Sequence, residues 1–444
     1  MSGKAGQTGL HHVRFVEFDK TSRALAHVPE PVIAITGFGE KMSKFAVIKG
    51  GVTAAKGFSA SGVKAGIKYS RPDMALIASD RDAAVAATFT TNKIQGAHVK
   101  LCRKLVKSGS KQAIIINAGN ANACNGPSGI IDAKRMGVCT GKALGIPASK
   151  VLMCSTGTIG IKMPMDKIES GIRLAVTALV KNGGDAAARA IMTTDTVDKQ
   201  YALQFKIDGK IVRIGGMAKG AGMIEPNMAT MLCFITTDAA VKKPALQKCL
   251  SAAIKQSFNR VTVDGDQSCN DTVLLLANGA DGNKPLDEKH KSWKTFCEAV
   301  DTVTRELAMK IVRDGEGATK CVTIKVNGAA SDADAGLAAR AIANSLLVKT
   351  SWFGCDPNWG RVIDAVGYSG AKVVEEKVKI SYNNLHAVKG GRRDSKVPLK
   401  ALEKILREKE FVITIDLGLG KGSDTVYTCD CSEEYVKINS EYMT

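Results

Sequence analysis

Histidine is scarce in this chain. Six occur in 444 residues, and His11, His12 and His27 fall in an N-terminal stretch unlike the rest, leaving His98, His290 and His386. No His-Glu-x-x-His, His-x-x-x-His or Gly-x-Ser-x-Gly pattern is present, so imidazole-based zinc chemistry and the serine triad have little to work with. Aromatic residues are thin at 5%. None is interleaved among the short basic groups (Lys104 to Lys111, Lys242 and Lys243, Arg392 and Arg393) as a stacking platform for nucleic acid would be. Paired cysteine motifs are missing too: twelve cysteines are scattered from Cys102 to Cys431, with no Cys-x-x-Cys and a single Cys-x-Cys at Cys429 and Cys431. That usage fits reduced, mostly buried thiols in an intracellular protein, not a disulfide framework or zinc site. No apolar run reaches the ~18 residues of a spanning helix. The longest uncharged run, Gln112 to Ile131, carries Asn117, Asn120, Asn122 and Asn125, which hydrocarbon would not accept without partners. Membrane insertion, nucleic-acid binding and metal chemistry are therefore not expected.

What is present suits a globular protein. Apolar residues make up 45% of the chain, enough for large cores, and the length fits two or three packed domains of ~100–200 residues each. The net charge of +19 is spread out and favours anionic partners, small carboxylates included. Residues 1–45 differ from the remainder. They mix Lys4, Arg14, Lys20 and Arg23 with Pro-flanked turns of low periodicity. A transit peptide is Arg-rich and poor in acids, whereas Glu17, Asp19 and Glu30 count against one; a disordered extension is the alternative.

From Phe45 onward, strand-like and helix-like stretches alternate. Val/Ile/Thr content and flanking Gly or Asn predict strands over Val85–Thr91, Ala113–Asn117, Met231–Thr237, Thr272–Ala277, Val322–Val326, Val378–Tyr382, Phe411–Leu417 and Thr425–Cys429. Apolar spacing predicts helices over Asp166–Asn182, Pro244–Phe258, Glu298–Arg313 and Asp332–Ser345; in the third, Val300, Val303, Leu307 and Ile311 form one face. Several strands in succession near the C-terminus favour an α+β layered sandwich over a doubly wound parallel fold. Gly137-x-x-x-Gly141-Lys142-Ala143 fails the phosphate-loop pattern by spacing and by its missing Ser/Thr. Gly418-Leu419-Gly420-Lys421-Gly422 lies between two strands and reads as a hairpin turn.

One segment stands apart: Lys219-Gly220-Ala221-Gly222-Met223-Ile224-Glu225-Pro226-Asn227-Met228-Ala229-Thr230-Met231-Leu232-Cys233. Its glycines and proline make an irregular, restricted loop that runs into a strand beginning near Thr230. On residue types alone this is an ordinary loop-to-strand transition. The segment nevertheless resembles the self-cleavage site of the ornithine acetyltransferase (glutamate N-acetyltransferase) family, with Ala229-Thr230 as the scissile pair. Further family-like blocks follow in order: Asn117–Asn122, Ser155–Gly160, Met192–Thr196, Asp264–Thr272, Asp314–Lys320, Phe353–Arg361 and the tail from Tyr435 to Thr444. The resemblance extends from about Val47 to the last residue. Cys269 stands where Thr is common.

The resemblance implies an α/β sandwich like that of N-terminal-nucleophile acyltransferases. Two chains would arise by autoproteolysis, residues 46–229 after the extension and residues 230–444, assembling as two of each. It implies transfer of acetyl from N2-acetyl-ornithine to glutamate by a ping-pong cycle in arginine biosynthesis. No cofactor is implied, although acetyl-CoA can serve as a co-substrate in bifunctional members. Thr230 is the implied nucleophile, and Thr156 and Gly157 the oxyanion donors. Thr193 (rather than Thr194), Lys219, Thr230, Glu316, Asn439 and Thr444 are the implied substrate ligands. The chemistry is coherent in a His-poor chain. A Thr hydroxyl needs an adjacent base, and a free N-terminal amine with a reference pKa of ~7.7–8.0 is one. Lys219 suits a substrate carboxylate and Glu316 an ammonium. An N-terminal-nucleophile amidase or aminopeptidase, which would hand the acyl group to water, is the rival reading. The mitochondrial matrix is the expected location if the leader is a transit peptide, the cytoplasm otherwise.

Overall fold

Apolar residues run almost without interruption along the central strands of the first sheet, so successive side chains face opposite sides and both faces find a core. In the computed structural model, which describes residues 44–225 and 231–441, these strands begin with β1 (Ala46–Ile48), β2 (Phe58–Val63), β3 (Met74–Phe89), β4 (Lys111–Asn120) and β5 (Val151–Thr158). They continue with β6 (Lys199–Ile207), β7 (Lys210–Lys219), β8 (Leu232–Thr237) and β9 (Thr272–Ala277), in the order β1-β6-β7-β8-β9-β3-β4-β5 with β2 beside β3. The expected N-terminal extension, Ala229, Thr230 and Thr444 fall outside the described residues, apart from Lys44 and Phe45 of the extension.

The 16-residue β3 is the corner of this sheet. Its first half, Met74 to Ala78, pairs with β2 and β4; its second half, Ala84 to Phe89, pairs with β9. Between them the register with β4 breaks at Ala78/Ala83, where Asp80, Arg81 and Asp82 point to solvent. A bulged strand bends and lets a sheet fold back over itself. Met217, Leu232, Phe234, Leu274 and Leu276 from one leaf therefore share a core with Ile114, Ile116 and Leu152 from the other. The intervening residues Cys233, Ile235, Val273 and Leu275 face the opposite way and pack in a second core, as a period of two requires.

Helices cover the leaves. On the first lie α1 (Ala97–Leu105), α2 (Gly126–Leu144), α3 (Met165–Thr177) and the short α4 (Gly184–Ala190). On the second lie α5 (Lys243–Gln256) and α6 (Trp293–Arg313), whose Leu246, Leu250, Val300, Val303, Leu307 and Ile311 complete the second core. A third core belongs to a six-stranded sheet formed by β10 (Cys321–Ala329), β11 (Lys379–Tyr382), β12 (Leu385–Lys389), β13 (Arg392–Arg393), β14 (Glu410–Asp416) and β15 (Gly422–Cys429). It is backed by α7 (Asp332–Asn344), α8 (Leu346–Phe353), α9 (Trp359–Gly367) and α10 (Leu399–Leu406), and the described chain ends in α11 (Glu433–Glu441). The α+β layered architecture read from the sequence is the one observed.

One local expectation is corrected. Gly418–Gly422 is not a hairpin, because β14 and β15 are not neighbours: both flank β10, the first parallel and the second antiparallel. Residues 417–421 step over the end of β10, and Leu419 and Gly420 donate to the Gly328 carbonyl at 2.7 and 2.9 Å. The step is roughly 10 Å, within reach of five residues at ~3.3 Å each. In the Ser155–Gly160 block, Ser155 to Thr158 form the end of β5.

Candidate active site

The two glycines at the tips of β4 and β5 bring their backbones unusually close. Gly119 and Gly157 stand opposite each other, with φ of 108° and 125°. A Cβ on Gly157 would lie 2.4 Å from the Gly119 carbonyl carbon. Only glycine fits such an approach at such a φ. The asparagines of the neighbouring run tie the tips down. Asn117 Nδ2 donates to Asn120 O at 2.8 Å, and Asn120 Oδ1 accepts from the Asn122 amide at 2.8 Å. Asn270, arriving from before β9, donates to Ala121 O (2.6 Å) and Ser155 O (2.9 Å). Thr156 is thereby presented, nearly buried, on a fixed edge.

From the other leaf comes Lys219, the last residue of β7. Its ammonium lies 3.5 Å from Thr156 Oγ1, with the side chain buried. Burial pulls its pKa below the ordinary lysine value, and the carboxylates of Asp195, Glu316 and Asp271 oppose that shift. Beneath it Asp195 accepts from Lys199 Nζ (2.7 Å), the Gly220 amide (2.7 Å) and the Thr193 amide (2.9 Å). Burial would raise the Asp195 pKa, but Lys199, Lys219 and the Gly220 N–H outweigh it and hold the carboxyl well below the usual range. Lys199 also bridges to Asp314. A buried carboxylate–ammonium–carboxylate chain thus underlies the Thr193 turn.

Opposite Lys219 in the ladder is Leu232 of β8. Its neighbour Met231 is pinned on both sides: its amide donates to Asp271 Oδ1 at 3.1 Å and its carbonyl accepts from the Thr272 amide at 3.1 Å. Asp271 is fully buried, and burial raises its pKa well above the carboxylate norm despite the Met231 N–H. The fourth side is built by the 314–320 turn and α11. Glu316 Oε2 accepts from Asn439 Nδ2 at 2.8 Å, and Gly222 leaves room for the Glu316 carboxylate, which a Cβ there would meet at 2.4 Å.

These pieces enclose a cavity of about 200 Å³. Its walls include Thr156, Gly157, Thr193, Thr194, Lys219, Glu316 and Asn439, which are all the described residues among the expected catalytic and substrate-binding set. They come from five separate stretches of sequence. Both candidates for the Thr193/Thr194 position reach the cavity. Sequence reasoning gave no part to Asp264, Asp266, Asn270 and Tyr435, which also line it. All four lie in family-like blocks, but nothing in their spacing shows what they hold. Among the described residues no group of three or more His, Cys, Asp or Glu side chains could hold a metal ion, and no helix is long and apolar enough to cross a membrane.

Comparison with known proteins agrees with the geometry. The profile of the ArgJ family matches residues 59–444. The arginine biosynthesis bifunctional protein ArgJ of Caldanaerobacter subterraneus is 46% identical over 401 residues, covering 90% of this chain and all of that one. The glutamate N-acetyltransferase of Methanocaldococcus jannaschii is 47% identical over 410 residues, again 90% of this chain and 100% of its own length. Among solved structures, that of ArgJ from Bacillus halodurans is 40% identical and covers 47% of this chain and 98% of its own, with a TM-score of 0.46. A family match across most of the chain, with relatives aligned over their whole length, leaves one conclusion: the chain belongs to the ArgJ family.

Proposed function

We propose that the protein is a glutamate N-acetyltransferase of arginine biosynthesis that carries acetyl from N2-acetyl-ornithine to glutamate on Thr230. One observation carries this reading: residues from five stretches meet in one cavity, beside the strand that directly follows Thr230 in the chain. The names of the family's relatives supply the reaction class.

In the first step Thr230 Oγ attacks the Ala229 carbonyl carbon, and the C–N bond breaks as the amine of residue 230 leaves with a proton. Water then hydrolyses the ester, freeing residues 1–229 from 230–444. The new amine is the base that a Thr hydroxyl otherwise lacks. In turnover the same oxygen takes acetyl, ornithine departs, and glutamate's amine removes the acetyl group. Thr156 Oγ1 accepts from Lys219, so its own hydrogen is free to point at an oxyanion beside the Gly157 N–H. Lys219 is the cation for the substrate carboxylate, and Glu316 with Asn439 receives the amino group. Thr193 and Thr444 complete the ligand set, the two chains pair as two of each, and acetyl-CoA is a second donor.

The deciding assay supplies acetylornithine with and without glutamate and follows both ornithine and N-acetylglutamate. Ornithine release with equimolar N-acetylglutamate supports the reading. Release of ornithine and free acetate, indifferent to glutamate, would make the protein an amidase.

A further inference from the structure

The C-terminal helix α11 has no fully buried residue, only the half-buried Tyr435 and Ile438 on its inner side, so apolar packing gives it little hold. Two side chains one turn apart on one face, Tyr435 and Asn439, provide polar contacts in its place. Tyr435 OH donates to Asp264 Oδ2 at 3.3 Å. Asn439 Nδ2 donates to Glu316 Oε2 at 2.8 Å and back to the Tyr435 carbonyl at 3.0 Å. Tyr435, bonded at its hydroxyl to Asp264 and at its carbonyl to Asn439, therefore joins Asp264 to the Asn439–Glu316 pair.

The same carboxylate holds the opposite wall. Asp264 accepts the Met223 amide at Oδ2 (2.6 Å) and the Ile224 amide at Oδ1 (2.9 Å), with the Asp266 amide also at Oδ1 (3.2 Å). Met223 sits at φ 58°, in the left-handed region that L-residues rarely adopt, and its amide is tied there by the bond to Asp264. Its neighbour Gly222 borders the Glu316 carboxylate. Both sides of Glu316 thus hang on one aspartate that does not itself touch Glu316.

We infer that Asp264 is a positioning residue for this site: through Tyr435 it sets α11, through Met223 it sets the Gly222 wall, and so it fixes the Glu316–Asn439 pair that meets the substrate's amino group. The inference deepens the acetyl-transfer reading and rests on it. Asp264 is suited to the task because a carboxylate accepts several donors at once, and protonation turns one of those acceptor sites into a donor that opposes the Tyr435 hydroxyl or a backbone N–H. Burial raises its pKa to about 6 against the pull of the amides it accepts. The groups facing it are Asp266 from its own loop, Tyr435 from α11, and Cys429 and Cys431 at the end of β15. The phenol and both thiols are pushed upward and stay neutral near pH 6.

The test compares full-length processed enzyme with Tyr435→Phe and Asp264→Asn, using acetylornithine as donor and glutamate as acceptor. Tyr435→Phe keeps the amide contacts of Asp264 and removes only the link to α11. Its KM for acetylornithine should rise about tenfold, the cost of one hydrogen bond to a charged group, with kcat within about threefold. Asp264→Asn should raise KM further and lose the acid limb near pH 6 in kcat/KM. Wild-type KM in Tyr435→Phe, a fall in kcat with KM fixed, or an acid limb kept by Asp264→Asn would each overturn the inference. Should Asp264→Asn not fold, Tyr435→Phe alone decides. A wild-type enzyme that transfers no acetyl to glutamate would sink the functional reading instead.

Discussion

Lys219 Nζ lies 3.5 Å from Thr156 Oγ1, although the residues are 63 positions apart and sit on opposite leaves of the bent sheet. The contact exists because β3 changes partners halfway along its length and folds the β5 edge over the β7 end. It gives Thr156 a donor partner, which orients the hydroxyl. Thr156→Ala should therefore lower kcat about 10²–10³-fold, as loss of one oxyanion donor does, with KM changed far less. Thr156→Ser should recover most of the rate. Steady-state kinetics of the two variants check this; an unimpaired kcat in Thr156→Ala would remove β5 from the chemistry.

Gly157→Ala is a different kind of lesion. The added Cβ would fall 2.4 Å from the Gly119 backbone, at a φ of 125°. Neither strand tip can yield without breaking the ladder. The variant should lose about 1–3 kcal/mol of stability from strain alone, together with activity. Thermal melting separates it from Thr156→Ala, which should melt close to wild type.

The Asp195–Lys199–Asp314 chain should dominate the acid side of the stability profile. Asp195 titrates below the usual carboxylate range in the folded state, so its stabilising contribution is full above the unfolded value of ~3.9. It is lost as pH falls through the depressed folded value. Lys199→Met removes the ammonium that bonds both buried carboxylates and should cost about 3–5 kcal/mol near neutrality. The loss should shrink in acid, where the stranded Asp195 takes up a proton. Denaturant melts of both proteins across this range measure it; a deficit that grows towards acid would contradict the assignment.

The C-terminus offers a fourth handle. Chain ends usually tolerate additions, but α11 carries Asn439 against Glu316, and Thr444 is three residues beyond its end at Glu441. Removing Met443 and Thr444, or fusing a tag after them, should raise KM for acetylornithine strongly while leaving chain cleavage intact. An N-terminal tag should be harmless. Equal kinetics for the two tagged forms would place the tail outside the site.

Much of the frame was legible in the residues. Thr272–Ala277 was read with its observed bounds, and β8, β10, β14 and α6 were placed to within a few residues or in their core portion. The misses share a cause, in that packing overrode local preference. The glycines of α2 are poor helix formers, yet Gly137 and Gly141 let the helix approach Met153 and the 146–148 backbone. The exposed Asp80–Asp82 stretch hid the fact that β3 continues through it. Ser155-Thr156-Gly157-Thr158 looks like a turn, but the Gly119 approach makes it strand. Within the site, the residues that contact the cavity stood in recognisable motifs. Asp264 and Tyr435 lie in such motifs and line the cavity too, but their pairing across 171 positions is not readable from either stretch alone.

The most direct test of the central claim is the size of the purified chain under denaturing conditions, for wild type and Thr230→Ala. Wild type should run as two pieces, each about half of 46.9 kDa, with the smaller-numbered terminus of the second beginning at Thr230. Thr230→Ala, lacking the attacking oxygen, should remain a single inactive chain of full length. A Thr230→Ala protein still split between positions 229 and 230 would contradict the account, since no other residue is assigned as nucleophile.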